Sequence, residues 1–183
     1  MAGLTWYTLG LVHYSRREFD DALQAEERAI GILQPLDYPS YLRCALQNHA
    51  WTLALTGRAA DARRCLAEAE PLSQEGDAFW VQQIGWGNLA VAEGQHDKAL
   101  TITTGILRAA DHQQMPKHIL SRAAWIGGRA QFALKHTEEA IFLAQASQQW
   151  GIDANDFRCI SDAVALLREC LAERRRRDLR CAD

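Results

Sequence analysis

TWYTLGLVHYSRREFDDALQAEERAIGILQP, residues 5–35, decides the fold of this chain. Trp6, Leu9, Gly10 and Tyr14 follow one another at helical spacing. Phe19, Ala22 and Ala29 resume that spacing after a short polar break, so the stretch reads as two helices joined by a tight turn. The unit recurs in residues 45–70 around Gly57 and Ala62, in 82–109 around Gly94 and Ala99, and in 123–149 around Lys135 and Ala140. Ala22, Ala62, Ala99 and Ala140 are spaced by 40, 37 and 41 residues, the mark of stacked supersecondary units. Each alanine is small where the two helices of a hairpin should cross, so the backbones can approach and larger neighbours interlock around them. One hairpin alone leaves an apolar side uncovered, and stacking the next one on it closes the core.

Periodicity and breakers place nine helices near 3–16, 19–34, 40–56, 59–70, 77–93, 96–110, 117–134, 137–150 and 154–175, and no strand. Pro35, Pro39, Pro71, Pro116 and Gly151 fall between hairpins, where Pro interrupts no helical ladder and Gly can end a helix. Gly57 and Gly94 sit at tight turns, and Asp77, Thr137 and Asp153 are expected N-caps. Gly85, Gly87, Gly127 and Gly128 lie inside helical patterns, where they permit close helix contact or mark a bend. The last helix carries Phe157, Ile160, Val164, Leu167 and Leu171 on one face and should cover the preceding repeat. The expected organisation is a single repeat domain over 1–175, with hairpins near 3–36, 40–74, 77–112 and 117–150, a terminal helix 153–175 and a flexible polar tail 176–183.

Composition excludes several function classes. With 183 residues, 48% hydrophobic and a net charge of -3, the chain is neither an acidic tail nor a nucleic-acid sponge. No apolar run approaches the roughly 18 residues of a membrane span, and the first residues lack a basic, cleavable leader, so a cytoplasmic location is expected. Cys44, Cys65, Cys159, Cys170 and Cys181 are odd in number and form no C-x2-C. Reduced thiols fit better than disulfides or zinc, the first four buried in helices and Cys181 exposed in the tail.

Trp6, Leu9, Gly10, Ala22 and Ala29 stand at the spacings of the tetratricopeptide pattern, with His13 where that pattern has Tyr. The chain resembles that family from Leu4 to Trp150. Its repeats exceed the family's usual length of about 34 residues, with the extra residues in LQPLDYPSY and LRAADHQQMPKH. In this it is similar to the repeat regions of large bacterial signal-transduction regulators of the maltose-activator kind. The resemblance implies an all-α fold, a right-handed α-solenoid of four hairpins plus a C-terminal capping helix. It also implies a protein- or peptide-interaction scaffold, part of a larger bacterial protein, with an effector-sensing regulatory domain as the other reading. Because the chain begins almost on its first motif residue, it is expected either to be excised from a longer protein or to abut another element there.

Mapped onto the family's superhelix, the first helix of each hairpin supplies the concave wall. That wall would hold Tyr7, Leu11 and Tyr14, then Gln47, Asn48 and Trp51, then Ile84 and Asn88, and finally Arg122, Trp125, Arg129 and Phe132. Aromatic pockets beside amide and guanidinium groups suit an extended peptide or an amphipathic helix. Arg122 and Arg129 could pair an acidic group or form ordinary interhelix ion pairs, and Trp51 and Trp125 could equally be packed between repeats. The paired Lys and Asn residues with which chaperone-binding relatives clamp a terminal carboxylate are not reproduced.

Catalytic patterns are not found. His13, His49, His96, His112, His118 and His136 form no H-E-x-x-H, and there is no G-x-S-x-G, phosphate-cradling loop or dinucleotide fingerprint. His13 and His49 are expected as hydrogen-bonded core histidines, while His112 and His118 flank Pro116 without further ligands at metal spacing. The expectation is a non-enzyme with no cofactor or metal, partnered by a protein, a peptide or a small effector, and by neither membrane nor nucleic acid. The run Arg174 to Arg177 reads as a solvated helix end favoured by the dipole, with contact to nucleic acid or to an acidic partner as the alternative.

Overall fold

The computed structural model describes residues 2–73 and 75–180. They fall into two compact units, Met1–Glu93 and Gly94–Asp183. The first holds α1 (Ala2–Ser15), α2 (Phe19–Leu33), α3 (Pro39–Leu55), α4 (Ala59–Ala69), a single 3-10 turn (Glu70–Leu72) and α5 (Gly76–Ala92). The second holds α6 (His96–Ala109), α7 (Lys117–Ala133), α8 (Thr137–Asp153) and α9 (Phe157–Arg180). The fold is all-α, and no strand occurs among the described residues. The helices of the third expected hairpin, α5 and α6, therefore belong to different units.

Tight turns repeat one geometry. After α1, Arg17 takes a left-handed φ of 63°, Arg17 N donates to Tyr14 O at 2.9 Å, and Glu18 N donates to His13 O at 3.0 Å. This paired closure satisfies carbonyls that the helix end would otherwise leave open. The same two bonds close the turns at Gly57 and Arg58, at Lys135 and His136, and at Asn155 and Asp156. Arg17, Gly57, Gly94 and Lys135 all have positive φ and all stand five residues ahead of Ala22, Ala62, Ala99 and Ala140. A second register accompanies the first, because Gly10, Ala50, Gly87 and Gly128 each precede those alanines by twelve residues. A Cβ on Gly10 would lie 3.6 Å from Ala22 O, and one on Gly128 would lie 3.3 Å from Ala140 O. Small residues thus let α1 cross α2, and α7 cross α8, at backbone contact.

In the first unit α1 packs on α2 and α3, α2 on α3, and both α3 and α4 on α5, with α3 also against α4. Leu23, Ala50, Leu53, Ala54, Ala62, Leu66 and Leu89 form its buried centre. In the second unit α6 packs on α7, α7 on α8, and α9 on both α7 and α8. Within each unit every helix meets its chain neighbour, and α1–α3, α3–α5 and α7–α9 also touch across one intervening helix.

Several local expectations need correction. Asp77 lies inside the first turn of α5, Thr137 is the first residue of α8, and Asp153 is its last, so none of them is the N-cap. Asp156 caps α9 instead, its Oδ1 accepting from Arg158 N at 3.0 Å and Cys159 N at 3.4 Å. Gly151 does not stop α8. It is buried, and a Cβ there would lie 3.1 Å from Ile160 N and 3.2 Å from Cys159 Cβ, so it is a crossing residue of α8 and α9. The buried face of α9 is Cys159, Ala163, Leu166 and Cys170. Ile160, Val164, Leu167 and Leu171 lie half-buried at its edge, and Phe157 is 73% exposed. The helix continues through the start of the expected tail to Arg180, and residues 181–183, including Cys181, lie outside the described residues.

Two substitutions test this register. Ala140→Trp should destabilise the second unit by about 1–3 kcal/mol through overpacking. Lys135→Gly should stabilise it by about 1 kcal/mol, since glycine adopts left-handed φ without the Cβ clash. Urea unfolding of each variant checks both signs.

Candidate functional site

Of the twelve residues placed on a binding wall, half are interior. Tyr14, Gln47, Trp51, Ile84, Asn88 and Trp125 are buried, whereas Tyr7, Leu11, Asn48, Arg122, Arg129 and Phe132 are partly exposed. In the first unit, Trp51 Nε1 donates to Tyr14 Oη at 2.7 Å, joining α3 to α1. One helical stretch away, Asn48 Nδ2 donates to Tyr7 Oη at 3.0 Å across the same pair of helices. Asn88 Nδ2 donates to the Trp51 carbonyl at 3.4 Å. Gln47 Nε2 reaches Ser73 Oγ and Gln82 Oε1, both at 3.0 Å, and Gln82 Nε2 donates to Leu66 O at 2.7 Å. These bonds satisfy buried polar groups, which would otherwise cost about 1–3 kcal/mol each. The residues tie helix to helix, and only the outer edges of Tyr7, Leu11 and Asn48 face solvent.

The second unit repeats the pattern with different chemistry. Trp125 is 4% exposed, and its Nε1 donates to Asp162 O at 3.0 Å, fixing α7 to α9. Arg129 lies over the Trp125 ring, 5.2 Å from its centroid, at cation–π distance. Arg122 belongs to an ion cluster at the start of α9. Burial pushes the Asp156 carboxyl up, but the Arg158 and Arg122 guanidinium groups and the Cys159 and Arg158 N–H groups more than offset this and hold it below its ordinary value. Arg122 and Arg129 thus sit in different settings. The first serves the α9 cap, and the second stays with the indole.

A buried charge escaped the sequence reading. Glu26 is 1% exposed, with Thr52 Oγ1 donating to Oε1 at 2.9 Å and His49 Nδ1 to Oε2 at 3.2 Å. The available signal was positional, since Glu26 stands four residues after Ala22, where the other repeats place Leu66, Thr103 and Ala144. His49 is thus a hydrogen-bonded core histidine. His13 is not fully buried and pairs with Glu18 at 2.7 Å. With Asp21 these groups bring three ligand atoms within 4.8 Å of one another. Gln131 and His136 hold the same two places in the fourth hairpin and join at 2.7 Å, so the contact is a recurring clip across the tight turn.

Three thiols, Cys65, Cys159 and Cys170, are shifted away from the thiolate form. Burial, then the neighbouring Glu68, pushes Cys65 up to about 11, and burial, then Glu169, does the same for Cys170. Burial also raises Cys159. Cys44 and Cys65 are only half-buried, short of the burial expected for them. Along α9, Arg176, Arg177 and Arg180 gather around Glu173, and Arg174 lies 3.6 Å from Glu138.

No protein-family model matches the chain, and no curated protein matches it.

Asp156→Asn separates cap from charge, because Asn also caps a helix. The folded Asp156 pKa is depressed, so its contribution is fully present above the unfolded value of about 3.9 and is lost as pH falls through the lower folded value. The Asn variant should therefore be less stable than the parent at neutral pH, and the gap should close in strong acid. Guanidinium unfolding followed at several pH values measures it.

Proposed function

We propose that the chain is a tetratricopeptide-like repeat of the long-repeat type, a right-handed solenoid serving as a protein- or peptide-interaction scaffold in a larger bacterial cytoplasmic protein. The repeat reading is supported by the coincidence of left-handed turn residues, small crossing residues and alanines at fixed offsets. The interaction reading rests on one observation. The buried Trp51–Tyr14 and Trp125–Asp162 bonds lock the interior of each unit, so the side chains at their outer edges are held in place before any partner arrives. Such preorganisation lowers the ordering cost of association.

Each unit then offers its own surface. In the first it is Tyr7, Leu11 and Asn48, an aromatic and amide edge that suits a peptide backbone with apolar side chains. In the second it is Arg129 with Phe132, a cation already seated on an aromatic ring. The buried members of the expected wall act behind these groups as supports.

The experiment is selection from a displayed peptide library on the intact chain, followed by calorimetric titration of the selected peptides. Tyr7→Ala or Arg129→Ala should weaken binding about tenfold or more, equivalent to about 1.4 kcal/mol. Gln24→Ala and Glu139→Ala, at exposed positions on second helices, should leave it unchanged. If the exposed controls weaken binding and Tyr7→Ala and Arg129→Ala do not, the partner sits elsewhere and the proposed surfaces fail.

A further inference from the structure

Between α6 and α7 the chain forms a cleft of about 590 Å³, separate from the surfaces built on Trp51 and Trp125. Its volume lies within the roughly 300–1,000 Å³ of small-molecule sites. The floor is apolar, since Met115 and Leu120 line it and are 9% and 6% exposed. The rim is polar and carries both signs of charge, Asp111 and Lys117, together with the amides of Gln113 and Gln114. Among the described residues none of these four side chains makes a hydrogen bond or ion pair, so the two opposite charges share one cleft without neutralising each other. Elsewhere exposed opposite charges do close on one another, as Arg174 and Glu138 do at 3.6 Å.

We propose that this cleft binds a small zwitterion with an apolar side chain, an α-amino acid of about leucine size. Asp111 takes the ammonium, Lys117 takes the carboxylate, and the side chain lies on Met115 and Leu120. A ligand carrying both charges satisfies both rim groups at once, whereas a ligand with one charge leaves the other rim group with water alone. The thioether of Met115 is flexible and polarisable, which suits side chains of more than one shape. The glutamine amides complete the polar rim with both donors and acceptors.

Three probes that differ only in charge test this: L-norleucine, hexanoate, which lacks the ammonium, and pentylamine, which lacks the carboxylate. Each is titrated into the full isotope-labelled chain and followed by backbone amide NMR. Norleucine should saturate, with shifts concentrated in residues 110–120, and hexanoate and pentylamine should each bind about tenfold more weakly or worse. Lys117→Gln should reduce norleucine to the pentylamine level, and Asp111→Asn should reduce it to the hexanoate level. Both positions are exposed, and circular dichroism verifies that the variants remain folded. Failure of norleucine to saturate up to its solubility limit, equal binding of the three probes, or shifts centred away from the cleft would overturn the proposal. Peptide binding at the edges of α1 and α3 is read by different residues, so either idea can fail alone.

Discussion

Where α7 crosses α8, a side chain on Gly128 would meet the Ala140 carbonyl at 3.3 Å, and where α1 crosses α2, one on Gly10 would approach the Ala22 carbonyl at 3.6 Å. That closeness constrains everything around it. Helices this near can be joined by a short turn, and a short turn must reverse the chain within a few residues. The left-handed residue does this and returns two backbone N–H groups to carbonyls at the helix end. With the turn and the crossing fixed, the rotation of the second helix is fixed too, which decides the side chains it presents to the next helix. Arg17, Lys135 and Asn155 tolerate strained backbone because the crossing holds them there.

Polar groups inside the first unit act at the next level, between hairpins. Glu26 on α2 is held by His49 and Thr52 on α3, and Gln47 on α3 connects to Ser73 and to Gln82 on α5. Apolar contacts alone tolerate sliding of one helix along another, since most displaced arrangements bury similar area. A hydrogen-bonded carboxylate tolerates very little, because displacement strands a charge away from water. These networks therefore specify position more than they add stability. The Tyr14–Trp51 bond does the same for α1 against α3.

Element boundaries were legible in the sequence to within a few residues for most helices because the spacing of Ala22, Ala62, Ala99 and Ala140, with the intervening polar breaks, carries the geometry of crossing and turning. Gly151 was misread because glycine has two uses, ending a helix and admitting a neighbour, and only the position of α9 distinguishes them. The candidate wall was legible as a set of faces. Which members would be covered was not, because period gives the direction of a side chain from its own helix axis and says nothing of the helix opposite. Trp51 and Trp125 are large enough to bridge to that helix and do so, while Tyr7 and Arg129 keep an outer edge. Glu26 was missed for a related reason, since a single charged residue in a helix is ordinarily solvated.

Within each unit, the principal helix contacts involve helices no more than two elements apart along the chain. Contacts so local in sequence close small loops and incur little chain entropy before they are rewarded, which favours rapid folding. The first unit can accordingly complete α1, α2 and α3 while α5 is still inside the ribosome. The buried Glu26 then finds both of its donors on the helix that follows it, so its charge is satisfied early in synthesis, with no wait for a distant part of the chain.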